Sequence, residues 1–256
     1  MLFRSGAQAV GPWIDPAAGI WDATAKIHVA GAVSWPNAAW AVRVGGQTRT
    51  VTTNDLPRGH TSGTFPVAAT DPAAVYDRNP NRIAEQSLTF RLPLSPRPAS
   101  APACTSLGAI GVLVDGVVLF NALDGEGRDA VAHEVLDSCS GHPERSSVYH
   151  HHDVPSCLLD AARSGTLVGF ARDGYGIYIE RDAHGDLLTN ASLDACHGRT
   201  SVVTWNGRRQ PVYHYVATRG YPYTVGCYHG TPVAVEGMAE QRARPAQPGP
   251  PPAGAP

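Results

Sequence analysis

Gly111-Val-Leu-Val-Asp-Gly116-Val-Val-Leu-Phe120 and Gly169-Phe-Ala-Arg-Asp-Gly174-Tyr-Gly-Ile-Tyr178 stand at a constant offset of 58 in the chain. Each is an apolar run, an Asp-Gly pair and a second apolar run, which predicts a β-hairpin around a type I′ turn. The same offset carries Asp124 onto Asp182 and Gly127 onto Gly185. After one residue is lost, Leu136-Asp137-Ser-Cys139-Ser-Gly141 aligns with Leu193-Asp194-Ala-Cys196-His-Gly198. After seven are gained, Tyr149-His150-His151-His152 aligns with Tyr213-His214-Tyr215-Val216. Rare residue types in one order predict an internal duplication, with units at about 108–165 and 166–230 packed as one body. The expected fold is mainly β with a few short helices, beside an N-terminal β region.

Outward from the repeat, residues 1–100 read as strands packed on the core. Trp40-Ala-Val-Arg-Val, Arg49-Thr-Val-Thr-Thr and Ser87-Leu-Thr-Phe-Arg-Leu alternate apolar with polar residues and are rich in β-branched types. Residues 101–238 form the duplicated domain, and the Pro-rich segment 239–256 is expected to be disordered because it has too little apolar surface to offset ordering. Arg128 to Val135 suits a short helix, and Ser156 is an N-cap for a second over Cys157 to Arg163. With 27 Gly and 22 Pro among 256 residues, turns and short elements are favoured over long helices. A net charge of −2 offers no basic field for nucleic acid, and no run approaches the roughly 18 apolar residues of a membrane span. Met1 to Gly6 lacks the apolar region of a secretory signal.

Five cysteines admit two readings. A zinc site would recruit Cys139 or Cys196, although neither lies in a C-x-x-C pair. The duplication favours one disulfide per unit, Cys139 with Cys157 and Cys196 with Cys227, leaving Cys104 single.

Asp137, Cys139, Gly141, His142, Tyr149, His150 and His152 form an Asp-x-Cys-x-Gly-His element followed by a Tyr-His string. Asp194, Cys196, Gly198, Arg199, Tyr213 and His214 repeat the pattern. Asn54-Asp-Leu-Pro-Arg-Gly-His60, Gly63-Thr-Phe-Pro66 and Asn79-Pro-Asn81 precede them. Over about residues 40–230 the chain resembles the YHYH-domain proteins. It departs from them at His151, where the string has Tyr, and at Val216, where the second string has His. The resemblance and the cysteine pairing together imply a secreted or periplasmic protein, with the cytoplasm as the alternative.

In a strand, residues i and i+2 share a face, so His150 and His152 make a two-toothed chelate while His151 points away. Packing about a pseudo-two-fold axis would bring His214 to the same region. Three imidazoles suit Cu or Zn. His142, His133 and His60 are further candidates, and Asp137 or Asp194 is expected to hold an imidazole in one tautomer. Arg199, opposite His142 in the repeat, gives the site a side for an anionic or other small-molecule substrate. The leading function is a metal-binding protein, in its sharper form a Cu- or Zn-dependent enzyme. The alternatives are a metal-free acid–base enzyme, with His150 or His214 as base and Tyr149 or Tyr213 as donors, and a non-catalytic extracellular binding module.

Overall fold

The computed structural model describes residues 11–15, 17–159 and 163–238. The Pro-rich tail and residues 160–162 of the expected second helix lie outside the described residues. A short pair, β1 (Ile14–Asp15) and β2 (Ile20–Trp21), is followed by β3 (Trp40–Gly45), β4 (Thr48–Thr53) and β5 (Leu88–Pro93). Next come β6 (Ala103–Cys104), β7 (Ala109–Leu113), β8 (Val118–Phe120), α1 (Ala130–His133), β9 (Gly141–Pro143), β10 (Tyr149–His151) and α2 (Ser156–Leu159). The remainder is β11 (Thr166–Ala171), β12 (Gly176–Ile179), β13 (Gly198–Trp205), β14 (Arg208–Val216), β15 (Cys227–Tyr228) and β16 (Val235–Glu236). The protein is mainly β with two short helices.

The eight strands from β7 to β14 form one sheet in the order β13-β14-β12-β11-β7-β8-β10-β9. That order is a palindrome. In each half a hairpin (β7–β8 or β11–β12) pairs in parallel with a Tyr-His strand (β10 or β14), which pairs antiparallel with the strand after the Asp-x-Cys-x-Gly turn. The halves meet through their first strands, β7 against β11.

The run Ala109–Leu113 is buried at every position, as a strand covered on both faces must be. On one face Val112, Val118, Phe170, Tyr178 and Trp205 pack against Val51, Leu88, Phe90 and Leu92 of a four-stranded sheet ordered β16-β5-β4-β3. On the other, Ile110, Leu113, Leu119, Ile177, Ile179 and Tyr215 form a second core. The alternation read in Thr48–Thr53 and Leu88–Pro93 is thus the inward face of the smaller sheet.

The hairpin turns differ in type from expectation. Type I′ needs positive φ at both central residues, but only Gly116 (91°) and Gly174 (89°) are left-handed. Asp115 caps the Val117 amide at 3.0 Å, which holds the aspartate in an ordinary conformation. The result is a three-residue loop closed by Leu113 N–H to Val117 C=O and ending on a left-handed glycine.

Both expected disulfides are present, Cys139–Cys157 and Cys196–Cys227, and Cys104 is free and exposed. The bridges span 18 and 31 residues, worth about 3 and about 4 kcal/mol respectively by loop-closure entropy. Replacing both Cys196 and Cys227 with Ser should therefore lower the melting temperature by about 8–16 °C in a calorimetric scan. Cys104→Ser should leave it unchanged, and equal melting of all three proteins would refute a stabilising bridge.

Candidate metal centre

The centre is assembled by β9, β10 and the segment after α1. Antiparallel pairing sets His142 opposite His150. The two-residue period then puts His150 and His152 on one face and turns His151 to the other. Phe120 of β8 stacks on the His150 ring with centroids 3.9 Å apart. Asp129 caps α1 by accepting from the Ala132 amide, and the helix stops at Glu134, whose carboxylate lies over the histidines.

Four donor atoms converge. His150 Nε2 and His152 Nε2 are 3.2 Å apart, and His142 Nε2 is 3.4 Å from His152 Nε2. Glu134 Oε2 is 3.1 Å from His142 Nε2 and 3.0 Å from His152 Nε2, yet it makes no hydrogen bond. The other ring nitrogens decide the tautomers. His150 Nδ1 faces the Val148 carbonyl at 3.2 Å and His152 Nδ1 faces the Asn121 carbonyl at 2.6 Å. A carbonyl only accepts, so both Nδ1 atoms carry protons and the neutral rings aim Nε2 lone pairs at one another. A proton on one Nε2 satisfies one contact and leaves the rest opposed, whereas a cation among the three imidazoles, whose donor atoms lie within 4.8 Å of one another, would satisfy them together. Metal–nitrogen bonds of ~2.0–2.1 Å at a tetrahedral ion set neighbouring donors ~3.3–3.4 Å apart, close to the spacing of His152 from His150 and from His142.

The electrostatics differ from ring to ring: burial opposes charge on His152, but Glu134 outweighs it and raises that imidazole. Burial pushes the His150 imidazole well below its ordinary pKa, and its histidine neighbours push it further. Burial alone would raise Glu134, but His142 and His152 outweigh it and hold the carboxyl well below the usual range.

Several expected site residues are placed elsewhere. His214 is on β14, five strand positions from β10, or ~24 Å at the usual strand spacing, so it shares no centre with His150. Its Nε2 lies 3.5 Å from Glu180, whose other oxygen is 3.5 Å from Arg199 Nε. Arg199 occupies the place opposite His214 that His142 occupies opposite His150, and it is turned to Glu180 rather than held beside the histidine cluster. His133 bonds the Asp129 carbonyl and stays outside the cluster. A surface cleft of about 650 Å³, lined by Leu187, Asn190, Thr218 and Arg219 among others, includes none of the clustered histidines.

Asp137 and Asp194 make no bond to a Tyr-His imidazole. Asp137 accepts from the amides of Cys139 and Gly141 through one oxygen, and from the Gly63 amide and the Tyr149 hydroxyl through the other. Asp194 accepts from the amides of Cys196 and Gly198 and from the Tyr213 hydroxyl. The Asp-x-Cys-x-Gly spacing wraps each carboxylate in its own turn. Glycine is required there because a Cβ at Gly141 would lie 2.1 Å from the Tyr149 hydroxyl, and one at Gly198 would lie 2.3 Å from that of Tyr213. Tyr149 and Tyr213 are therefore committed to structural bonds.

His60 and His151 meet on the opposite face of β10, each pointing Nε2 at Asp115 Oδ2, at 3.2 and 3.4 Å. Glu134 and Asp115 were not expected as site residues: one follows a single-turn helix, and the other reads in sequence as an ordinary turn aspartate.

Lys26 is buried beside the centre and donates to the Val131 carbonyl. Burial pushes its ammonium down to about 8 against the pull of Asp153, Glu134 and Asp129. Between pH 8 and its ordinary 10.5 the unfolded chain binds more protons than the folded one, so stability rises with pH across that window. Lys26→Met should flatten the rise in urea titrations at pH 8 and 10. A wild-type stability that falls over this interval would contradict the assignment.

Fold and site together define a mainly-β protein with a buried cluster of three imidazoles and a carboxylate. A family model described as YHYH protein matches residues 89–187, so the middle of the chain is similar to that family. The matched span holds Glu134, His142, His150 and His152. No curated protein and no solved structure matches the chain. Among the described residues no helix is long and apolar enough to cross a membrane.

Proposed function

We propose that this is a metal-binding protein whose centre is His142, His150, His152 and Glu134, with Zn or Cu as the ion. The convergence of three buried imidazoles within 4.8 Å of one another, with a Glu134 oxygen 3.0–3.1 Å from two of them, carries the reading. Three imidazoles with one carboxylate suit borderline ions such as Zn²⁺ and Cu²⁺. Such an ion supplies Lewis-acid chemistry or, as copper, one-electron chemistry.

The chain's own residues fix the donors. The Val148 and Asn121 carbonyls lock two rings in one tautomer, and Phe120 covers His150 from one side. Side-chain exposure is 8% at His142 and 4% at His152 but 25% at Glu134. Glu134 is thus the most exposed of these side chains, although its Oε2 atom itself is buried. The two disulfides support an oxidising compartment outside the cytoplasm.

Elemental analysis of untagged protein tests the reading. His142→Ala, His150→Ala and His152→Ala should each lose one equivalent of metal relative to wild type, and His214→Ala should lose none. Unchanged content in the first three, or no metal after reconstitution with Zn or Cu, would refute it.

A further inference from the structure

We propose that the face of β10 opposite this centre holds a second divalent transition-metal ion, bound by His60 Nε2, His151 Nε2 and Asp115 Oδ2. The two sites are independent, because neighbouring residues of a strand project to opposite sides.

The argument rests on bonding inventory. His60 Nδ1 faces the Thr61 carbonyl at 3.1 Å, and His151 Nδ1 faces the Ser140 carbonyl at 3.0 Å. Both Nδ1 atoms must donate, which leaves each neutral ring with an Nε2 lone pair. Both Nε2 atoms point at one anionic oxygen, at 3.2 Å from His60, within hydrogen-bond reach, and at 3.4 Å from His151. The His151 Nε2 is fully buried and has no hydrogen-bond partner. Side-chain exposure is 7% at His60 and 0% at both His151 and Asp115, so water cannot freely separate them. Asp115 Oδ1 is already committed to the Val117 amide, which presents Oδ2 alone to the imidazoles.

Two protons would also relieve the repulsion, at the cost of burying two imidazolium ions around one carboxylate. A single divalent ion brings the same total charge and makes three direct bonds. Two imidazoles and one carboxylate form the donor set that holds first-row ions while leaving further coordination positions to non-protein ligands. All three donor atoms lie within 4.8 Å of one another. His60 is delivered from the loop after β4 and Asp115 from the β7–β8 turn, so the ion would tie the smaller sheet's connections to the larger sheet.

The test is equilibrium dialysis of the full chain against Zn²⁺, with Co²⁺ absorption as a second readout. Wild type should bind two equivalents. His60→Gln and Asp115→Asn should each bind one, and His142→Ala should also bind one. The double variant His60→Gln/His142→Ala should bind none. The Co²⁺ spectrum of His60→Gln should keep the bands of the His142 centre and lose a second set. If Asp115→Asn fails to fold, His60→Gln decides, since its loop side chain is the least buried donor. Wild type saturating at one equivalent, with His142→Ala at none, would overturn this proposal and leave the first centre intact. Wild type at one with His142→Ala also at one would overturn the first centre and leave this one. Two equivalents in both wild type and His60→Gln would overturn this site directly.

Discussion

Asp137→Ala should cost at least about 4 kcal/mol of folding stability, enough to leave much of the protein unfolded at 37 °C. Four donors lose their acceptor at once: the amides of Gly63, Cys139 and Gly141 and the Tyr149 hydroxyl. Each buried donor left unpaired costs about 1–3 kcal/mol. The same carboxylate joins three separate segments, the loop after β4, the turn before β9 and β10 itself. Asp194→Ala provides the control. It removes three bonds, but the Tyr213 contact is solvent-exposed at 3.3 Å and the amides are only part-buried. About 1–2 kcal/mol is expected there. Urea denaturation of both variants measures the difference, and equal losses would show that burial does not set the cost.

Removing metal should have a comparable effect. An ion that binds only the folded state and is present at a thousand times its dissociation constant stabilises by about 4 kcal/mol. In a protein of this size that corresponds to a fall of about 8–16 °C in melting temperature when a chelator strips it. The stripped centre also brings Nε2 lone pairs to 3.2 and 3.4 Å with nothing between them. Loss of ellipticity should begin around β9 and β10, read as faster amide exchange in residues 141–152 than in 198–216. An unchanged melting curve after complete removal, verified by elemental analysis, would show that the histidines are held by packing alone.

What the sequence disclosed was local. Apolar runs flanking Asp115-Gly116 and Asp173-Gly174 specify hairpins because strand alternation and left-handed glycines are properties of neighbours in the chain. The face shared by His150 and His152 follows from the same two-residue period. The pairing of Cys139 with Cys157 and of Cys196 with Cys227 came from the matched positions of the repeat. The placement of His214 did not, because it depends on which edges of the two halves meet. Joining β7 to β11 sends the Tyr-His strands toward opposite ends of the sheet, whereas joining β10 to β14 would have brought them together. Glu134 and Asp115 were illegible for another reason. Glu134 fell within the expected helix and Asp115 within the expected hairpin turn, and each reaches its histidines only through tertiary packing. Asp137 was visible as a conspicuous residue, but its spacing serves a turn: three of its four partners are backbone amides.

The palindromic sheet places Arg199 where the other end has His142, and Val216 follows His214 as His152 follows His150. Arg199 meets Glu180 there, so that end carries its positive charge as part of the polypeptide. On the proposed reading, the two ends therefore differ in what they require from their surroundings. One is complete as soon as it is translated and folded, while the other draws an inorganic component from outside and remains sensitive to scarcity. Starved of that component, the molecule would loosen from a single edge, with the opposite edge serving as the template against which it closes again when supply returns.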